Sequence, residues 1–475
     1  ASVARLRDLP VLRTTPHSTP AAVSMSTSPE EKEALEARVE ALMAQGDLRD
    51  AGAAVAEMHP SDLADLVEHL DEAGQVALLS ILPPELASET LAEMEEGEDR
   101  GDLLAALTPE KGAELLEELA DDDAADLIGE LEPPEQQRIL DAMPDEAADD
   151  LIGLLQYGPE TAGGLMTTDV VAVEGSLTAA RALDEVRVRG REVEDFYTVF
   201  VVDAESRLLG TLRLDSLVIA DPMSSIEALV EAPVATVEPG EDQEQVGRLI
   251  ARYNLAAIPV VTAQGILLGR ITFDDVIDVI EAEQTEDILR LAGVTDEEEL
   301  RHSWTESVRT RLPWLALNLV TASMAASVIL LYEDVIDQVI TLAFLAPIIA
   351  AMGGSSGTQS LAITIRRLTV EGSGSARGFV LKEILIGLVI GGVLGLGIAV
   401  LAFVLQGDPK LGLVVLLAMW GNQIVAGFAG AFVPATLDRM GVDPSVASSV
   451  FVHTLTDLCG FFLLFGLASK FLLAG

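Results

Sequence analysis

Five long apolar runs constrain this chain more than any other feature: residues 312–332, 339–365, 384–406, 411–437 and 444–469. A helix crosses the hydrocarbon core with about 20 apolar residues. Each run reaches that length, and all but the last are free of formal charge. Helices buried in soluble domains rarely sustain this, so the second half predicts a five-span α-helical transmembrane domain. Basic residues then set the orientation. Arg309 and Arg311 precede the first run, Arg366, Arg367, Arg377 and Lys382 lie between the second and third, and Arg439 lies between the fourth and fifth. The alternate loops hold Glu333, Asp334 and Asp337, then Asp408 and Lys410. This bias predicts a multi-pass protein of the cytoplasmic membrane, with the N-terminal half cytoplasmic and the C-terminus outside.

Charge divides the chain at the same place. Of 77 acidic and 29 basic residues, only 9 and 7 lie from Leu312 onward, so a net charge of about −46 out of −48 falls in the part before it. So acidic a surface repels itself unless counterions gather on it. Phosphate backbones want the opposite sign, which argues against nucleic acid as a partner. Divalent cations are the natural ligand class. Cys459 is the single cysteine and permits no intrachain disulfide. Residues 1–28, rich in Ser, Thr, Pro and Ala, lack the apolar core of a secretory signal and read as a disordered leader.

Between the leader and the spans two textures alternate. Residues 29–160 form short amphipathic segments punctuated by Pro or Gly, which predicts an all-α acidic domain. Ala124-Ala125-Asp126-Leu127-Ile128-Gly129 recurs as Ala148-Asp149-Asp150-Leu151-Ile152-Gly153, a period near 24 that suggests a helical superhelix. Residues 161–284 bring strand-like runs, Tyr197-Thr198-Val199-Phe200-Val201-Val202 and Ala257-Ile258-Pro259-Val260-Val261. Each precedes a turn, a second short run and an acidic helix start, at Asp215 and at Asp274-Asp275. This tandem α/β unit resembles a pair of CBS domains. Residues 285–311 read as charged helix joining that pair to the membrane.

Two membrane features carry chemistry. Span two holds Pro347 and Gly353-Gly354-Ser355-Ser356-Gly357. These residues weaken a helix and free carbonyls, so a break lining a water-filled path is expected; close packing through small residues is the alternative. Span five holds Asp457, the one intramembrane acid well away from an end. A charge there costs at least about 2.5 kcal/mol, so it should be partnered or functional. His453 lies one turn earlier on the same face, beside Thr454. Mg²⁺ is small, octahedral and keeps its waters, so a few carboxylates and carbonyls suffice to hold it. A two-fold dimer with the pathway on its axis would bring two Asp457 carboxylates together. No phosphate loop, nucleophile elbow or zinc-ligand spacing suggests an enzyme.

On these residues the chain resembles the MgtE family of bacterial Mg²⁺ channels. The likeness is carried by Asp443-Pro444-Ser445-Val446-Ala447-Ser448, Thr454-Leu455-Thr456-Asp457-Leu458-Cys459-Gly460, the span-two glycines with Thr358-Gln359-Ser360, and Glu281-Ala282-Glu283-Gln284-Thr285-Glu286-Asp287-Ile288. The resemblance implies a homodimeric Mg²⁺ channel in membrane lipid, shut by a plug helix at 285–311 when cytoplasmic Mg²⁺ is high. It implies Asp457 as the pore-ion ligand and Asp443 at the cytoplasmic mouth. Regulatory Mg²⁺ would sit at Asp275, Asp278, Glu283, Glu286, Asp287, Asp242 and Glu244, with Asp123 and Asp126 in the N domain. It also allows ATP at the CBS pair. Pore-lining candidates are His453, Thr454, Gly353, Gly354 and Ser355. The chain departs from the family where Asn usually follows the span-two Gly-Gly (here Ser355), where a small residue or Thr usually precedes the pore Asp (His453), and where Asn often lines span four (Gly427). Asn254 replaces one sensor acid. Imidazole suits transition metals better than Mg²⁺, so an ion-coupled transporter of Mg²⁺, Co²⁺ or Mn²⁺, with Asp457 and His453 as a proton relay, is the competing reading. A CBS-regulated receptor is another.

Overall fold

The computed structural model describes residues 29–94, 98–191, 193, 196–294, 304–371, 376–440, 442–446 and 449–473. The expected leader and residues 295–303 of the expected plug lie outside them. The chain divides into two compact units, residues 1–241 with 259–271, and residues 242–258 with 272–475.

In the first unit, ten helices lie between Pro29 and Leu154 among the described residues. Every second one opens on proline, at Pro60, Pro84, Pro109 and Pro133, a recurrence of 24 or 25 residues. Proline suits the first turn because its missing N–H would have no intrahelical partner there. Each of these helices packs against the next of its kind. The 24-residue period is therefore a helix pair, and stacked pairs make the superhelix. Leu63, Leu66, Leu79, Leu91, Leu104, Leu115 and Leu127 fill its core, and most of its carboxylates stay outside.

The α/β region follows the expected order. Strand β1 (Ala172–Glu174) pairs in parallel with β2 (Thr198–Val202), which pairs antiparallel with β3 (Leu208–Arg213). The second copy has β4 (Ala257–Val261) beside β5 (Leu267–Thr272). Each hairpin feeds an acidic helix, Leu214–Ile219 and Phe273–Ala292.

In the second unit, the helix Gln243–Tyr253 packs on Phe273–Ala292, with Gly247 against Val276 and Ile280. Phe273–Ala292 runs unbroken across position 285, where the plug was expected to begin. It stops at Gly293, whose left-handed φ of 78° ends the helix. Among the described residues, five helices are long and apolar enough to cross a membrane: Ser307–Leu331, Thr341–Leu368, Gly378–Gln406, Pro409–Arg439 and Ser449–Leu473. Span four is central, packing against spans two, three and five. Leu342, Leu345, Ile349, Val414, Val415, Leu464 and Phe465 form the core between them. Span five starts later than expected. Asp443 accepts hydrogen bonds from the Ser445 amide (2.8 Å) and hydroxyl, tying Pro444–Val446 into a separate short turn.

The expected break in span two is absent. Helix Thr341–Glu371 continues through Pro347 and all three glycines. A helical glycine costs about 1 kcal/mol against alanine, whereas a backbone group without a partner in hydrocarbon costs several. The helix therefore persists, and the glycines serve close packing.

Candidate functional site

Span five sorts its side chains by face. Val452, Thr456, Gly460 and Leu464 are buried against the other helices. On another face His453 is exposed and Asp457 half-buried, four residues apart. His453 Nε2 lies 3.3 Å from Thr358 Oγ1 of span two. Gly354 makes room for the ring: a Cβ there would stand 2.5 Å from its Cδ2. Thr454 instead turns to its own helix, donating to the Val450 carbonyl at 2.7 Å. Ser355 is exposed on span two.

Behind this stripe lies a pair of residues to which sequence reasoning gave no role. Asn422 and Gln423 of span four are fully buried. Asn422 Nδ2 donates to the Ile349 carbonyl and Gln423 Nε2 to that of Met352, both at 3.0 Å. Their side-chain oxygens, also buried, accept no hydrogen bond among the described residues. A Cβ on Gly353 would meet Asn422 Nδ2 at 2.2 Å and one on Gly460 would meet it at 2.9 Å, so three helices converge on that amide. Adjacent amides in an otherwise apolar span were the available signal, since buried amides cross-link membrane helices. Gly427, at the position expected to bear Asn, instead sits against the backbone of Glu383.

The expected control acids of the second unit divide into two kinds. Asp275 and Asp242 serve helix starts. Asp275 Oδ2 accepts from the Thr272 amide (3.1 Å) and hydroxyl (2.5 Å) in a capping box, and Asp242 accepts from the Glu244 amide at 2.9 Å. Asp278 is exposed. Glu244, Glu283 and Asp287 are crowded instead. Gln243 Nε2 donates to Glu283 at 2.8 Å, and Arg248 pairs with Glu244 at 3.0 Å. Burial pushes the Glu244 carboxyl up to about 7; Arg248 opposes the rise, while Glu283, Asp242 and Asp287 add to it. Burial likewise pushes Asp287 up to about 6, with Asp443 and Glu283 adding to it. Burial among like charges holds both carboxyls far above their usual range, and the Arg248 pair offsets this only in part at Glu244.

Arg290, also unforeseen, pairs with Glu286 on its own helix and with Asp443 before span five. At Gly293 a Cβ would overlap Trp314 of span one, and Trp314 packs edge-on against Phe451 of span five at 6.2 Å. Asp123 and Asp126 belong to the first unit, on helix Asp121–Gly129, Asp123 exposed and Asp126 half-buried. Their neighbour Asp121 takes hydrogen bonds from Thr167 and Thr168, including Thr167 Oγ1 at 2.5 Å. Among the described residues of one chain, no three His, Cys, Asp or Glu side chains are grouped to hold a metal.

Comparison with known proteins bears on this arrangement. A family described as a divalent cation transporter, MgtE, matches residues 346–467; the MgtE intracellular N domain matches 58–160 and a CBS domain 226–282. The magnesium transporter MgtE of Enterococcus faecalis is 38% identical over 87% of this chain and 92% of its own length. The chain belongs to the MgtE family. The MgtE of Thermus thermophilus is 34% identical over 92% of this chain and 98% of its own. A solved cytosolic domain of the Mg²⁺ channel MgtE in complex with ATP is 34% identical, with a TM-score of 0.49 over 51% of this chain and 99% of that one. MgtE membership accounts for the order seen here: acidic helical N domain, CBS pair, five apolar helices.

Proposed function

We propose that this chain is a Mg²⁺ channel for cation uptake, closed by cytoplasmic Mg²⁺ on its acidic surfaces. The observation that carries it is the Asp457 and His453 stripe. A carboxylate and an imidazole on a helix in hydrocarbon cannot face lipid without a cost of several kcal/mol. A second copy across a two-fold axis covers the stripe and places two Asp457 carboxylates beside one hydrated dication. Mg²⁺ keeps several waters and asks for only one or two carboxylates, so a sparse site fits it. In this reading the N-terminal half is cytoplasmic and the C-terminus outside.

Control belongs to the second-unit acids. Crowded carboxylates repel when bare and are drawn together by a bridging dication. A state in which they converge binds Mg²⁺ better, so Mg²⁺ shifts the population toward it. Arg290, which joins the control helix to Asp443 at the foot of span five, provides a route from ion binding to the pathway. Asp278, Asp123 and Asp126 are proposed to contribute further acidic surface, and ATP at the CBS pair belongs to the same reading. The deciding experiment is Mg²⁺ influx into proteoliposomes, wild type against Asp457→Asn. Equal influx would sink the proposal.

A further inference from the structure

We propose that His453 is a specificity-determining residue: it gives the cation pathway a nitrogen donor one turn from Asp457, so Ni²⁺ and Co²⁺ bind there in competition with Mg²⁺. The proposal rests on the reading of Asp457 as the pathway carboxylate.

Three features bear on the ring. It is exposed on the same face as Asp457, so a ligand in the pathway reaches both. It fits against span two because Gly354 has no side chain; a Cβ there would stand 2.8 Å from Nε2. And Nε2 is 3.3 Å from Thr358 Oγ1. When Nε2–H donates to that hydroxyl, the lone pair is on Nδ1. One ring nitrogen is then fixed by a neighbour and the other is free for a metal, the usual arrangement of ligating histidine. Thr358 is a positioning residue for this donor.

The chemistry follows from ligand type. Mg²⁺ prefers oxygen and parts reluctantly with water, so an imidazole adds little to its binding. For Co²⁺ and Ni²⁺ imidazole is a suitable ligand, and affinity for a mixed nitrogen and oxygen site rises toward Ni²⁺. The same stripe with a small residue at 453 would offer oxygen alone.

The test uses the full-length, tag-free protein in detergent, titrated with Ni²⁺ in excess Mg²⁺ so that the acidic surfaces are already occupied. Wild type should show a Ni²⁺ site that withstands Mg²⁺. His453→Ala should lose it, and Thr358→Val, which keeps the imidazole, should weaken it about tenfold. In proteoliposomes, the ratio of the half-inhibitory Ni²⁺ concentration to the Mg²⁺ KM should rise about tenfold or more in His453→Ala. Asp457→Asn should weaken both ions together. Identical Ni²⁺ isotherms for wild type and His453→Ala would overturn the proposal. A wild type that passes no Mg²⁺ counts against the transport reading alone, and the titration still decides the role of His453.

Discussion

Helix Phe273–Ala292 carries seven acids and one base in 20 residues, whereas span five, helix Ser449–Ala468, carries one acid in the same length. In the water-facing helix a carboxylate is cheap, and its presence says little. Position decides its use. Asp275, in the first turn, satisfies the Thr272 amide and hydroxyl and is favoured by the helix dipole. Glu283, Glu286 and Asp287 lie toward the other end, where the dipole disfavours negative charge, and Asp287 is further burdened by burial and by Asp443. In the membrane helix every charge is expensive, so the mere occurrence of Asp457 is informative.

The sharpest way to break this contrast is Asp457→Asn. Mg²⁺ influx should fall about 100-fold or more, equivalent to about 2.7 kcal/mol at ~1.36 kcal/mol per decade. No single acid of helix Phe273–Ala292 should approach that. Next in size is Gly353→Ala. The added Cβ meets the Asn422 amide at 2.2 Å, and that amide cannot step aside without giving up the Ile349 carbonyl. Overpacking of this kind costs about 1–3 kcal/mol, which thermal unfolding in detergent would register. An unchanged midpoint would mean that the three-helix convergence on Asn422 is slack. Asp275→Ala should be smaller, about 1 kcal/mol through the lost cap, with Mg²⁺ sensing shifted less than by Asp287→Asn. A larger sensing shift from Asp275→Ala would reverse the division between capping and crowded acids.

Much of this was legible before folding. The five spans follow from apolar length, the α/β hairpins from alternating runs, and the superhelix from the repeat at Asp126 and Asp150. Asp457 stood out because nothing else charged lies so deep. What remained hidden depended on long-range geometry. Seven acids in one helix read alike until the fold brings Gln243 and Glu244 alongside it. Arg290 lies 153 residues from Asp443, so its pairing has no local signature. The span-two glycines suggest a break that the helix does not make, because propensity scales measured in water ignore how strongly hydrocarbon enforces backbone hydrogen bonding.

The smallest expected effect tests the crowded acids through pH. The folded-state carboxyls of Glu244 and Asp287, at about 7 and about 6, lie above their ordinary values of 4.5 and 3.8. Between those ordinary values and the raised ones, the folded form binds more protons than the unfolded form. Metal-free protein therefore loses stability as pH rises through roughly 4 to 7, and the strain is complete above about 7. On the proposed sensing role, Mg²⁺ bound beside these acids relieves the strain by adding positive charge. The rise in unfolding temperature on adding Mg²⁺ should thus be larger at about pH 8 than at about pH 5.5, by about 2–4 °C for ~1 kcal/mol. Glu244→Gln with Asp287→Asn should flatten the difference, because neither replacement titrates. A Mg²⁺ effect that grows toward acid pH, or one untouched by the double substitution, would place the sensing charge elsewhere and leave this helix as a solvated connector.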